Sequence, residues 1–233
     1  MEIPRIGILI CPGLLAAGTA AAARPIRLPA GLEARRGEVA ASVEKASAIV
    51  LGFAKSKGWA KEAALSQFDS VEIYSSQEEL WRRMVEINKL PAGSQLPTDG
   101  LAAGLESRVL LAVAPEEYKR LRPEYAAQKE AWARLLAHEI IHRLHVQILG
   151  GDEDAMGPVW FYEGFAVVGA GQSLKPVAEY KTAQEAFDGV AGKGRGAYAR
   201  YAAAVRFFMS KVSLPELVKR AGRKDFEDWL RTL

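Results

Sequence analysis

The residue types best suited to chemistry stand together at 138–142, where the chain reads His-Glu-Ile-Ile-His. Residues four apart lie one above the other on a helix, so His138 and His142 could offer two imidazoles to one metal ion. Glu139 follows His138 by about 100° of helical rotation, which places its carboxylate beside that ion. A carboxylate in this position can accept a proton from a water molecule that the ion activates. The spacing therefore predicts a metal-assisted hydrolytic centre with Glu139 as general base.

A long helix is predicted to carry this motif. Alanine and leucine are frequent over 126–137, and both are good helix formers. Pro123 is typical of a helix start, and the Gly150-Gly151 pair is typical of a helix end. One stripe of this helix holds all three histidines of the chain. Buried imidazoles need polar partners, and a metal ion would satisfy them.

The third histidine of that stripe, His145, is not predicted to be a ligand. It lies seven residues after His138, which corresponds to about 10.5 Å of helix. A zinc–nitrogen bond is only about 2.0–2.1 Å long, so one ion could not reach both. We expect His145 to hydrogen-bond a carboxylate behind the ligands, or to carry a charge that suits the C-terminal end of the helix.

A catalytic zinc ion needs three protein ligands and one open position, so a third ligand must come from another element. Glu163 is the best candidate, within Trp-Phe-Tyr-Glu-Gly-Phe-Ala at 160–166. An acid among so many apolar residues is costly to bury unless it is paired or bound to a metal. Asp152 and Asp154 are alternative third ligands.

The two motifs together resemble those of the gluzincin metallopeptidases. The chain is most similar to the aminopeptidase-N-like and peptidase-MA-like domains over about residues 130–170, where Trp-Phe-Tyr-Glu-Gly-Phe-Ala follows the His-Glu-x-x-His motif. The resemblance implies a zincin fold, in which His138, His142 and Glu163 bind zinc and Glu139 is the general base.

Related families match less well. A metzincin would have a glycine and a third histidine where this chain has His145 and Ile148. Thermolysin-like enzymes carry an aspartate four residues after the glutamate ligand, where this chain has Val167. Aminopeptidase-N enzymes hold the substrate amine with the glutamate of a G-A-M-E-N motif, and this chain has no acid at the matching place. The resemblance therefore does not extend to aminopeptidase specificity.

The resemblance also implies a tyrosine beyond the second motif that hydrogen-bonds the oxyanion of the transition state. Tyr198 and Tyr201 lie in a comparable place, and no surrounding motif decides between them. A phenol is suited to that role because it can donate to charge that exists only in the transition state. The alternative is that both rings pack in the core.

Composition is typical of a globular protein with a sizeable core. The 233 residues are 49% hydrophobic and 25% charged, with a formal net charge of +3. No basic cluster with interleaved aromatic residues is present, so nucleic acid is not an expected partner.

Residues 1–23 are predicted to be an export signal. Arg5 supplies a positive charge, residues 6–17 are largely apolar, and residues 20–23 offer small side chains for cleavage. We expect the protein to be periplasmic or secreted.

The alternative for this segment is an uncleaved membrane anchor at 6–23, although a span usually needs about 20 apolar residues. The membrane is an expected partner only in that case. The single cysteine, Cys11, lies inside the segment, so the mature chain would contain no disulfide.

Hydrophobic periodicity and turn residues predict the remaining elements. Two strands are expected at 100–105 and 108–113, joined by a turn. The backbone of 100–104 is the candidate edge for an extended substrate, and an ordinary hairpin over the core is the alternative. The other expected elements are a loose lead-in at 24–35, a helix at 37–57, a strand at 71–75, a helix that begins near Ser76, a loop at 90–99, a helix that begins at 157–158, helices at 183–188 and 198–212, and two short helical pieces in 214–233.

These observations predict an α+β chain with a zincin-like fold. Residues 24–233 would form a single domain, with a small mixed sheet in an N-terminal lobe, the active-site helix at the cleft and a helical C-terminal lobe. The expected function is a zinc-dependent peptidase that acts on a peptide or protein substrate. The alternative is an exported domain that binds zinc through the same fold but does not hydrolyse peptides.

Overall fold

A computed structural model describes residues 24–91, 93–97, 100–173, 179–193 and 197–233. The chain is an α+β protein with a small mixed sheet, which confirms that part of the expectation. The predicted export segment lies outside the described residues. The strands are β1 (Ile26–Arg27), β2 (Ser70–Tyr74), β3 (Ala103–Glu106) and β4 (Val109–Val113), and the helices are α1 (Arg36–Lys57), α2 (Ala60–Ala64), α3 (Gln77–Ile87), α4 (Pro115–Leu121), α5 (Pro123–Ala126), α6 (Ala131–Ile148), α7 (Val159–Gly169), α8 (Ala183–Val190), α9 (Tyr198–Met209), α10 (Leu214–Arg220) and α11 (Phe226–Arg231).

The sheet has the strand order β1-β2-β4-β3, with β1, β2 and β4 parallel and β3 antiparallel to β4. The β3–β4 hairpin turns at Ser107 and Arg108, whose φ angles are 44° and 64°. Two consecutive positive φ angles are typical of the turns whose twist matches that of the strands. The predicted hairpin is therefore confirmed.

The start of the first hairpin strand and the looseness of the lead-in were predicted wrongly. The first hairpin strand begins at Ala103 rather than at residue 100. The lead-in at 24–35 is not loose, because β1 pairs with β2 and a 3₁₀ helix follows at Ala30–Arg35. Arg36 donates to the carbonyl of Ile26 at 2.6 Å, so the first turn of α1 holds this segment in place.

Local sequence explains where α1 and α3 lie. The apolar positions of α1 repeat at three and four residues, and α1 packs against α6. The hydroxyl of Ser76 accepts from the backbone N–H of Glu79 at 3.2 Å, which caps α3 as predicted. The buried residues of α1 are Val39, Val43, Ala46, Val50 and Ala54.

The helix that carries the His-Glu-x-x-His motif is shorter than predicted. It begins at Ala131, because Glu130 adopts a left-handed conformation with φ of 59° and separates α5 from α6. It ends where predicted, before Gly150 and Gly151, which both have positive φ. Helix α6 packs against both β3 and β4, so the sheet supports the helix from one side.

Helices α7 and α9 cross closely at Gly164. A Cβ at this position would stand 2.5 Å from the carbonyl oxygen of Tyr201 and 2.7 Å from Val205, so a larger residue would push the helices apart. This contact explains the glycine that follows Glu163. It also sets how near the first turn of α9 comes to α7.

Aromatic side chains fill the core around the C-terminal helices. Trp160 and Phe161 of α7 contact rings from α8, α9 and α11, and all of these rings are buried. The contacting rings are Phe187, Phe208 and Phe226. Among the described helices, none is long and apolar enough to cross a membrane.

Candidate metal centre

Helices α6 and α7 bring three potential ligand atoms together. The Nε2 atoms of His138 and His142 lie 3.1 Å apart. Oε2 of Glu163 lies 3.2 Å from Nε2 of His138 and 3.3 Å from Nε2 of His142. His138 and Glu163 are buried and His142 is half-buried. The residues that the sequence predicted as ligands therefore form one cluster.

The separations of these three atoms match those of ligands around one small cation. Ligand atoms about 2.0–2.1 Å from an ion at tetrahedral angles lie roughly 3.3–3.4 Å from one another. Two imidazole nitrogens and a carboxylate oxygen also carry lone pairs that repel at this distance unless a proton or a cation lies between them. The buried cluster of His138, His142 and Glu163 could therefore bind a metal ion.

Electrostatic effects inside the cluster favour an anionic carboxylate beside cationic charge. Burial would raise the pKa of Glu163, but the charge of His142 and hydrogen bonds from His138 and His142 hold that pKa below its usual range. Burial would lower the pKa of His138, yet the hydrogen bond with Glu163 and the charges of Glu139 and Glu163 raise it overall. A carboxylate that stays ionised and attracts positive charge is what a cation site requires.

Gln172 contacts the opposite side of the His138 ring. Its Oε1 lies 3.1 Å from Nδ1 of His138, and its side chain is buried. A ring that donates from Nδ1 leaves the lone pair of Nε2 available to a cation. Sequence reasoning missed Gln172, because it stands in a turn after α7 and belongs to neither motif.

Glu139 is half-buried on α6 beside the cluster. Its charge is one of the causes of the raised pKa of His138. Within the described part of the chain, its carboxylate has neither a hydrogen bond nor an ion pair with another residue. It is therefore available to a water molecule or a substrate.

The two candidate tyrosines have different surroundings. The Tyr198 ring packs edge-on against His138, with 5.7 Å between the ring centroids. Tyr201 is buried, and its hydroxyl donates to the carbonyl of Lys193 at 2.7 Å. Tyr198 is therefore the candidate that adjoins the cluster. Tyr162, which the sequence did not single out, packs edge-on against His142 with a centroid distance of 5.8 Å.

His145 does not have the environment expected for it. It is fully buried and packs on Phe165, with 4.4 Å between the ring centroids. Neither of its ring nitrogens has a hydrogen-bond partner among the described residues. Burial, together with the charge of His142, lowers the pKa of His145 to about 3, so the ring is neutral. The expected carboxylate partner and the expected charged form are both wrong.

The alternative third ligands lie outside the cluster. The carboxylate of Asp152 accepts from the backbone N–H groups of Asp154 and Ala155 at 3.0 and 3.3 Å, which organises the 3₁₀ helix at Asp154–Met156. In the described ranges, one group of three histidine, cysteine, aspartate or glutamate residues has ligand atoms close enough to share an ion. This group is His138, His142 and Glu163.

The candidate substrate edge is only partly a strand. Residues 100–102 precede β3. Strand β3 lies at the edge of the sheet and packs against α6.

Comparisons with known proteins identify no relative. No protein-family model, no curated protein and no solved structure matches this chain.

Proposed function

We propose that this protein is a zinc-dependent peptidase. The observation that carries the proposal is the convergence of His138, His142 and Glu163, with Glu139 next to His138 on α6. The zincin-like fold, the export of the mature chain and a peptide or protein substrate belong to the same proposal. Nucleic acid has no part in it.

We propose zinc as the ion because the His-Glu-x-x-His spacing with a further carboxylate ligand is typical of catalytic zinc sites, and the same donor set also suits iron(II). Imidazole nitrogens with one carboxylate oxygen suit zinc, whereas calcium and magnesium prefer sites built only from oxygen. Three protein ligands also leave one coordination position open, as in catalytic sites. A bound zinc ion would lower the pKa of a coordinated water and polarise the carbonyl of the scissile bond.

The protein's own residues would then move protons and stabilise charge. Glu139 takes a proton from the attacking water and later delivers it to the leaving amine. Tyr198, whose ring adjoins His138, donates a hydrogen bond to the oxygen that becomes negative in the transition state.

The test is Glu139→Gln. This change keeps the shape of the side chain and removes its basicity, so hydrolysis of a mixed peptide library should fall by about 100-fold or more. Zinc content, measured by elemental analysis, should stay at one per chain, because Glu139 is not a ligand. Glu44→Gln on the exposed face of α1 is the matched control and should leave turnover unchanged.

Two results would contradict the proposal. Equal turnover in Glu139→Gln and the wild type would exclude Glu139 as the base. Wild-type protein that binds zinc and cleaves no peptide would instead favour a non-hydrolytic zinc-binding domain.

A further inference from the structure

We propose that Gln172 is a positioning residue of this metal centre, which holds His138 in the tautomer and orientation that present Nε2 to the ion. The inference rests on the metal site of the proposed function. It does not depend on which bond, if any, the centre hydrolyses.

The first observation is the contact itself. Oε1 of Gln172 lies 3.1 Å from Nδ1 of His138, and Nε2 of the same ring faces Glu163 and His142. A neutral imidazole has one N–H and one lone pair. When Nδ1–H donates to the amide oxygen, the lone pair must be on Nε2, where the ligand atoms converge. The opposite tautomer would place a hydrogen where the ion has to bind.

The second observation is that the backbone around Gln172 is fixed from both sides. The side chain of Gln128 donates to the carbonyl of Gly171 at 2.9 Å and accepts from the N–H of Ser173 at 2.8 Å. Arg134 donates to the carbonyls of Ala170 and Gly171, both at 2.9 Å. One glutamine thus holds the residues before and after Gln172, so the amide that faces His138 is held in position.

The third observation is how α7 ends. The N–H of Gln172 bonds to the carbonyl of Val167, the N–H of Gly171 bonds to that of Val168, and Gly171 has a φ of 61°. This is the glycine-terminated helix end known as the Schellman motif. The motif turns the chain back towards α6 directly after the last turn of α7. Helix α7 therefore supplies a ligand, Glu163, and the turn that ends it supplies the group that orients a ligand of α6.

The chemical character of Gln172 also matters. Metal-binding histidines usually donate their second N–H to a carboxylate, a backbone carbonyl or water, which fixes the ring and raises its basicity. An amide oxygen fixes the ring equally well but carries no charge, so it raises basicity less than a carboxylate would. Gln172 would thus fix the orientation of the His138 ring while raising the basicity of its Nε2 only moderately.

The experiment compares zinc affinity in three variants, measured by competition with a chromophoric chelator. Gln172→Leu removes the acceptor at similar size and should weaken zinc binding about 10- to 100-fold. Gln172→Glu restores an acceptor and should bind zinc at least as tightly as the wild type. Gln67→Leu is the matched control, because Gln67 is also buried and bonds to α6 through Gln147 at 2.6 Å, away from the cluster.

A second readout separates positioning from general stability. In the zinc-loaded protein, the Nδ1–H of His138 should give a slowly exchanging NMR signal in the wild type. In Gln172→Leu that signal should shift and exchange faster, whereas in Gln67→Leu it should not change.

The inference is overturned if Gln172→Leu binds zinc within twofold of the wild type, or if its His138 signal is unchanged. It is also overturned if Gln67→Leu weakens zinc binding as much as Gln172→Leu does. Failure of the proposed peptidase function looks different: zinc binding still depends on Gln172, and no peptide is cleaved.

Discussion

Each end of the α6–α7 interface holds a buried histidine, and the pKa values of the two histidines are shifted in opposite directions. His138 and His145 lie on one helix, both are buried, and both face α7. At His138, α7 and the turn after it present Glu163 and Gln172. At His145, α7 presents Phe161 and Phe165, and neither ring nitrogen has a partner among the described residues.

The contrast shows that the partner helix, and not the histidine stripe, decides what an imidazole can do. Burial alone lowers the pKa of either ring, because it disfavours the charged form. Only at His138 do nearby carboxylates reverse that direction, whereas the pKa of His145 falls to about 3. The surroundings of His138 therefore favour a cation, whereas the surroundings of His145 disfavour a charged ring.

Removing the carboxylate that α7 contributes should have the largest effect on this contrast. Glu163→Ala should lower zinc affinity by more than about 100-fold, the upper end of the cost of losing only an outer hydrogen bond to a ligand. Chelator competition measures this affinity, and circular dichroism confirms the fold. If Glu163→Ala retains zinc while Asp154→Ala loses it, Glu163 is not the third ligand.

The next effect concerns the two tyrosines of α9. Tyr198→Phe should reduce kcat by about 100-fold, as expected when one donor to a developing oxyanion is lost. Tyr201→Phe should leave kcat near that of the wild type. It should lower the free energy of unfolding by about 1 kcal/mol, because the bond from its hydroxyl to Lys193 is lost. Steady-state kinetics and urea unfolding of both variants test this, and the reverse pattern would assign the role to Tyr201.

The sequence predicted the cluster well because its residues have periodic or compositional signals. Two histidines four apart must share a helical face, and an acid among apolar residues such as those of α7 needs a partner. The β3–β4 hairpin and the end of α6 were predicted for similar local reasons.

What the sequence could not show depends on contacts between distant segments. Gln172 faces His138 only because Gly171 turns the chain after α7 and Gln128 holds that turn. No turn-forming residue at Glu130 indicates the break between α5 and α6. A weak signal did exist for His145, since Phe161 and Phe165 stand four apart and must share the face of α7 that covers it.

The smallest effect at neutral pH should come from His145. His145→Leu replaces a neutral, unpartnered ring with an apolar side chain, so zinc should stay at one per chain. The free energy of unfolding at pH 7 should change by about 1 kcal/mol or less, because no hydrogen bond is lost among the described residues. This variant is therefore a control for Glu163→Ala, because it changes a residue of the same interface that does not bind the metal.

The free energy of unfolding of the same variant should exceed that of the wild type increasingly as the pH falls. The pKa of His145 is about 3 in the folded protein, against about 6.5 in the unfolded chain. Below pH 6.5 the unfolded state alone takes up the proton, so the wild type loses stability while His145→Leu loses none from this site. Between pH 7 and pH 5 the variant should gain about 2 kcal/mol over the wild type. Urea unfolding of both zinc-free proteins at pH 7 and pH 5 measures the difference. Parallel stability curves would mean that His145 is protonated in the folded state, and the contrast with His138 would then be lost.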